Sequence, residues 1–97
     1  MDFHFELNGE GFVWDAAKAE QNRRKHGVRF EEAAAVFFDP LFVLAEASRN
    51  DEARYAAIGF DAVGRLLYVV HVEIEDVCIR IVSARRAEPE EEARYAE

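Results

Sequence analysis

Arg54, His71 and Arg80 are the residues of this 97-residue sequence whose types and spacing could do chemistry together. Each lies in a run that reads as a β-strand: 54–60, 66–73 and 77–84 are rich in β-formers, with turn residues between them, Asp61-Ala62-Val63-Gly64 and Glu75-Asp76. A two-residue turn at Glu75-Asp76 pairs Ile74 with Val77, and counting back sets His71 opposite Arg80. Closing the earlier hairpin with Phe60 opposite Arg65 sets Arg54 opposite His71 on the same face. Such a row is unfavourable unless an anion lies near it, because like charges repel and cations resist burial. An RNA phosphate meets that need: two guanidinium forks hold its oxygens while an imidazole transfers a proton during cleavage. Glu73, two residues beyond His71, is a second acid or base on that face. The alternative is an ordinary solvated sheet face on which Arg54 and Arg80 pair with Glu73 or another carboxylate.

The elements that must position these residues are marked by caps and periodicity. Asp15 is a good N-cap for a helix through Lys25 or His26, and Gly27 supplies the left-handed residue that ends one. Phe30, Ala33, Ala34, Phe37 and Phe38 share one face of a second helix, stopped by Asp39-Pro40. Leu41 to Ala45 reads as a short strand, Glu46 to Glu52 as a polar loop, and Pro89 as the first residue of a short C-terminal helix. Residues 1–11 show no clear period and read as a variable lead-in to a short strand at Phe12 to Trp14. The expected fold is α+β in one domain over residues 1–97, with two N-terminal helices packed on an antiparallel meander and a short C-terminal helix.

Composition limits the function classes. A hydrophobic content of 51% with eight Phe argues for a folded core. A net charge of -8 and a pI near 4.9 disfavour broad attraction to nucleic acid, so any RNA contact must be local. Basic residues cluster in Arg23-Arg24-Lys25-His26 and between Arg80 and Arg86, whereas Glu88, Glu90, Glu91, Glu92 and Glu97 make the tail acidic. Lys25 and His26 are also explained by the dipole at a helix C-terminus. No apolar run reaches the ~20 residues of a membrane span, and the first residues lack a secretory pattern, so a cytoplasmic protein is expected. The single Cys78, in an apolar strand pattern, reads as a small buried hydrophobe and excludes an internal disulfide framework. No HExxH or paired acidic motif supports a metal-dependent nuclease.

The order Phe12-Val-Trp-Asp15, Lys18, Asn22, Lys25-His-Gly-Val28, Phe30-Glu-Glu-Ala33, Val36-Phe37 and Asp39-Pro40 continues with Arg54, Ile58-Gly59, Gly64-Arg-Leu-Leu67, Val70-His71 and Arg80-Ile-Val-Ser-Ala-Arg85. Over Phe12 to Tyr95 it resembles the BrnT toxins. The resemblance implies a RelE-like fold and a metal-independent ribonuclease that cleaves RNA, inhibits translation and needs no metal or organic cofactor. It also implies neutralisation by a BrnA-like ribbon-helix-helix antitoxin, through which alone DNA is contacted, and no membrane partner. Cleavage in RelE-like enzymes proceeds by in-line attack of the ribose 2′-hydroxyl on the adjacent phosphate. By that resemblance His71 is the proton-transfer group, Arg80 and Arg54 are phosphate clamps, and Arg85, Arg86, Lys25 and His26 bind RNA.

The chain departs from the family pattern after His71. Val72-Glu73-Ile74 stands where a hydroxyl residue, an acid and a base are usual, and the terminal helix is acid-rich. Both departures remove polarity or positive charge near the expected RNA path. They support an alternative function, a catalytically weak module that binds its antitoxin and takes part in operon autoregulation. Tyr95 either approaches the site from the terminal helix or docks that helix onto the sheet.

Overall fold

A β-hairpin, not a featureless lead-in, begins the chain. In the computed structural model, which describes residues 1–97, strand β1 (Asp2–Leu7) pairs antiparallel with β2 (Glu10–Asp15) from Asp2 opposite Asp15 to Leu7 opposite Glu10. Asn8 and Gly9 between them both have positive φ, 51° and 82°, the geometry that matches a two-residue turn to the twist of its strands. Helix α1 (Ala16–His26) follows directly. The Asp15 carboxylate caps it by accepting the Lys18 N–H at 3.0 Å, and Gly27, at φ 72°, ends it. Helix α2 (Phe30–Ala34) tightens into a 3-10 turn, Ala35–Phe38. Then come β3 (Val43–Glu46), β4 (Tyr55–Phe60), β5 (Leu66–Ile74), β6 (Cys78–Arg86) and α3 (Pro89–Ala96).

These strands form one six-stranded mixed sheet in the order β1-β2-β6-β5-β4-β3. β2 runs parallel to β6, with Val13 beside Arg80, and every other neighbouring pair is antiparallel. The expected fold is thereby corrected: helices do not lead the chain, and the sheet is not a purely antiparallel meander. The physical reason lies in β1, where Phe3 and Phe5 alternate with polar residues. Their rings sit 5.4 and 5.6 Å from that of Trp14. Phe5 and Leu7 are partly buried against the core and hold the hairpin in place, so that β2 covers the edge of β6, which would otherwise expose unpaired backbone groups.

Two apolar layers hold the sheet. On one face Phe12 and Trp14 of β2, Leu67 and Val69 of β5 and Ile81 and Ala84 of β6 pack against Phe30, Ala33 and Ala34 of α2 and neighbouring Val28 and Val36. Asn22 fixes α1 to this face: its side-chain amide donates to the carbonyls of Val28 (3.1 Å) and Ala84 (2.8 Å) and accepts from the Ala84 N–H (3.0 Å). Gly59 lets the 3-10 turn approach β4, since a Cβ there would lie 2.9 Å from that of Phe42 and 3.0 Å from a Val36 methyl.

On the other face Ala45, Ala56 and Ile58 are covered with help from Tyr95 of α3. The Tyr95 hydroxyl donates to Asp39 at 2.7 Å and its ring meets Phe60 edge-on at 5.2 Å, so Tyr95 docks α3.

Candidate active site

The hairpins that frame the site are each one residue longer than the turn chemistry suggested. Ile74 pairs with Cys78, not Val77, and Phe60 pairs with Leu66, not Arg65. Glu75 and Asp76 both take positive φ, and Val77 joins them outside the ladder. At the other end the Asp61 carboxylate draws Arg65 into the loop, accepting its N–H and its Nε–H, each at 2.8 Å. Arg80 therefore lies opposite Val72, and the β4 register continued by one residue sets Arg54 beside Val72 too. Both slips run the same way, so the two arginines still share a face. His71 does not join them, because a shift of one residue carries a side chain to the opposite side of a sheet.

Arg54 and Arg80 line one cleft of about 290 Å³ together with Lys18, Asp15 and Glu52. Its apolar wall is Val72, Ile74, Ile81 and Val82, so two of the residues that depart from the family pattern form its floor. Each arginine already holds a carboxylate. Arg80 donates through both terminal nitrogens to Asp2 of β1, at 3.3 and 3.0 Å, and Arg54 pairs with Glu52. The fork of Arg80 holds the Asp2 carboxyl below its ordinary range, and the same bond raises Arg80 further. Lys18 and the carboxylates Asp2, Asp15 and Glu52 were not identified from sequence as site residues. Asp2 stands 78 positions from Arg80, and only a strand pairing absent from the expected topology brings them together.

A bulge lengthens this basic face. Val70 pairs with Ser83 and His71 with Ile81, leaving Val82 without a partner. The extra residue lets Arg80 and Arg85 point to the same side of β6. Arg85 lies over the Tyr68 ring at 4.4 Å and makes a bidentate pair with Glu91 of α3, both bonds 2.8 Å, which raises its pKa. Arg86 and Lys25 are exposed, and His26 is half-buried. Burial, then the charges of Lys25 and Arg85, favour the neutral form of His26.

His71 is 1% exposed and belongs to the helix-side core. Its ring meets that of Phe37 edge-on at 4.7 Å, and its Nδ1–H donates to the Val69 carbonyl at 3.1 Å. Burial lowers its pKa, opposed by the Val69 bond and the charge of Glu73. The folded protein thus resists a proton that the unfolded chain accepts below about pH 6.5, so stability falls as pH drops through that window to the folded pKa. We expect a lower denaturant midpoint at pH 5.5 than at 7.5, with the difference reduced in His71→Phe. An unchanged difference in that variant would show that His71 does not drive it.

A family model described as the ribonuclease toxin BrnT of type II toxin-antitoxin systems matches residues 14–91. This chain belongs to the BrnT family. As a BrnT-family toxin it acts on RNA and is paired with an antitoxin. The crystal structure of the Brucella abortus ribonuclease toxin BrnT superposes with a TM-score of 0.58 at 21% identity, covering 77% of this chain and 92% of that one. At that identity the likeness concerns the fold. Comparison with curated proteins gives no match. The family match begins at Trp14, so β1, with the Asp2 that occupies the Arg80 fork, lies outside it.

Proposed function

We propose that this BrnT-family toxin is a metal-independent endoribonuclease that cleaves RNA in the Arg54–Arg80 cleft and thereby inhibits translation. The observation that carries the reading is the convergence of Arg54, Arg80 and Lys18 on one cleft with an apolar floor. Three cations can supply the positive charge that stabilises a pentacoordinate phosphorane, and the apolar wall strengthens each interaction by lowering the local dielectric. Asp2 and Glu52 sit on the two guanidinium groups as phosphate would, and an incoming backbone displaces them. Arg85, Arg86, Lys25 and His26 extend the path beyond the cleft.

The antitoxin we propose is BrnA-like, with a ribbon-helix-helix portion that reaches DNA while the toxin itself does not. Translation as the target makes the cytoplasm the site of action.

Purified protein should cut labelled RNA in excess EDTA, leaving 2′,3′-cyclic phosphate and 5′-hydroxyl ends. Cleavage abolished by EDTA and restored by magnesium would refute metal independence. Induction in a bacterial host should arrest growth, and co-expression with the neighbouring reading frame should relieve it.

The pairing of Arg54, Arg80 and Arg85 with Glu52, Asp2 and Glu91 favours a second reading, an antitoxin-binding module without strong cleavage. Abundant folded protein that binds the antitoxin but neither cuts RNA nor slows growth would establish it.

A further inference from the structure

We infer that Lys18 is the general acid that protonates the leaving 5′-oxygen, a role that rests on the RNA-cleavage reading above. A ribose alkoxide is a poor leaving group, so breaking the P–O5′ bond needs a positioned proton donor. Arg54 and Arg80 cannot serve, because a guanidinium in a protein does not give up its proton. His71 is buried behind the sheet. Among the residues lining the cleft, Lys18 is the one that carries a transferable proton on a cationic group.

Its setting fits that task. Arg54 and Arg80 are each held by a carboxylate, whereas no carboxylate pairs with the Lys18 ammonium. The backbone of Lys18 is fixed in the first turn of α1 by its bond to Asp15, while the exposed side chain stays free to follow a substrate. Asp15 is a poor base: its bonds from the Lys18 amide and from the N-terminal ammonium lower its pKa. Glu52 is tied only to Arg54 and is released when phosphate takes that arginine.

The step balances. O2′ attacks phosphorus as its proton passes to Glu52, the O2′–P bond forms, the P–O5′ bond breaks, and Lys18 gives its proton to O5′. The products are a 2′,3′-cyclic phosphate and a 5′-hydroxyl, and solvent returns a proton to Lys18 and removes one from Glu52.

The test uses an RNA with oxygen at the scissile 5′ position and the same RNA with sulfur there, a leaving group that needs no protonation. Lys18→Ala and Lys18→Arg should cleave the oxygen substrate about 100-fold more slowly, yet cleave the sulfur substrate within about threefold of the unaltered protein. Arg80→Ala should be slow on both. Equal slowing of both substrates by the Lys18 variants would make Lys18 a phosphate contact and overturn the acid role, as would full activity on the oxygen substrate. If the unaltered protein cleaves neither RNA, the ribonuclease reading itself fails.

Discussion

Replacing Arg80 by alanine is expected to slow RNA cleavage about 100- to 1,000-fold while leaving the thermal midpoint nearly unchanged. The two halves of that expectation have different causes. Arg80 presents a fork already holding two carboxylate oxygens of Asp2 in the geometry of a phosphate contact. Its loss removes stabilisation that grows as charge develops on the phosphorane oxygens. The Asp2–Arg80 pair lies at the surface, with Arg80 half-buried and Asp2 exposed, and surface pairs contribute little to folding. Lys at this position keeps the charge but loses the fork, so it should fall between alanine and the unaltered residue. Asp2→Asn should move the other way, tightening RNA binding at low salt by freeing Arg80 from its internal competitor. Single-turnover rates and melting curves on the same preparations check all three. Full cleavage by Arg80→Ala would end its assignment as a clamp.

The largest stability effect is expected at Asn22, which has no place in the chemistry. Asn22→Ala should cost about 3 kcal/mol or more, because it strips partners from two carbonyls and one N–H at a position only 7% exposed. For a chain of this size that corresponds to a fall of roughly 12–24 °C in Tm. Asn22→Asp should be at least as harmful, since a carboxylate would face the Val28 and Ala84 carbonyls with nothing to donate. A melting shift of a few degrees would mean that the gap rehydrates without disturbing the contact between α1 and β6.

The parts of the fold that were legible in the sequence are those set by local chemistry. Asp15 and Gly27 bound α1 as their capping preferences require, and Pro89 opens α3. The apolar stripe of the second helix was readable through Phe37, which packs on the core, although the α-helix itself ends at Ala34. Beyond it the chain tightens to three residues per turn, which buries Val36 and leaves Phe38 39% exposed, where a continuous α-helix would bury Phe38. The Asn8-Gly9 pair carried a strong hairpin signal inside a segment dismissed for its lack of period. Of the candidate site, the shared face of Arg54 and Arg80 was legible because two equal register slips cancel for that pair. His71 could not be placed, since its side of the sheet depends on the parity of the loops, and one of these is lengthened by side-chain bonds between Asp61 and Arg65 that turn residue types do not announce. Asp2, the carboxylate that holds Arg80, comes from a strand 78 positions away, which spacing alone cannot bring together.

The unpaired Val82 makes β6 more tolerant of substitution than of a change in length. Arg80 and Arg85 are separated by an odd number of positions, and only the supernumerary residue between them keeps both on the side of α3. Exchange of Val82 for another apolar residue preserves that count, whereas its deletion sends one arginine into the helix-side core or forces the end of the strand to rotate. Divergence within this strand is therefore channelled: side chains can drift, but insertions and deletions must come in compensating pairs. Two relatives with arginine at the same aligned column present it to the same face only if both carry the bulge.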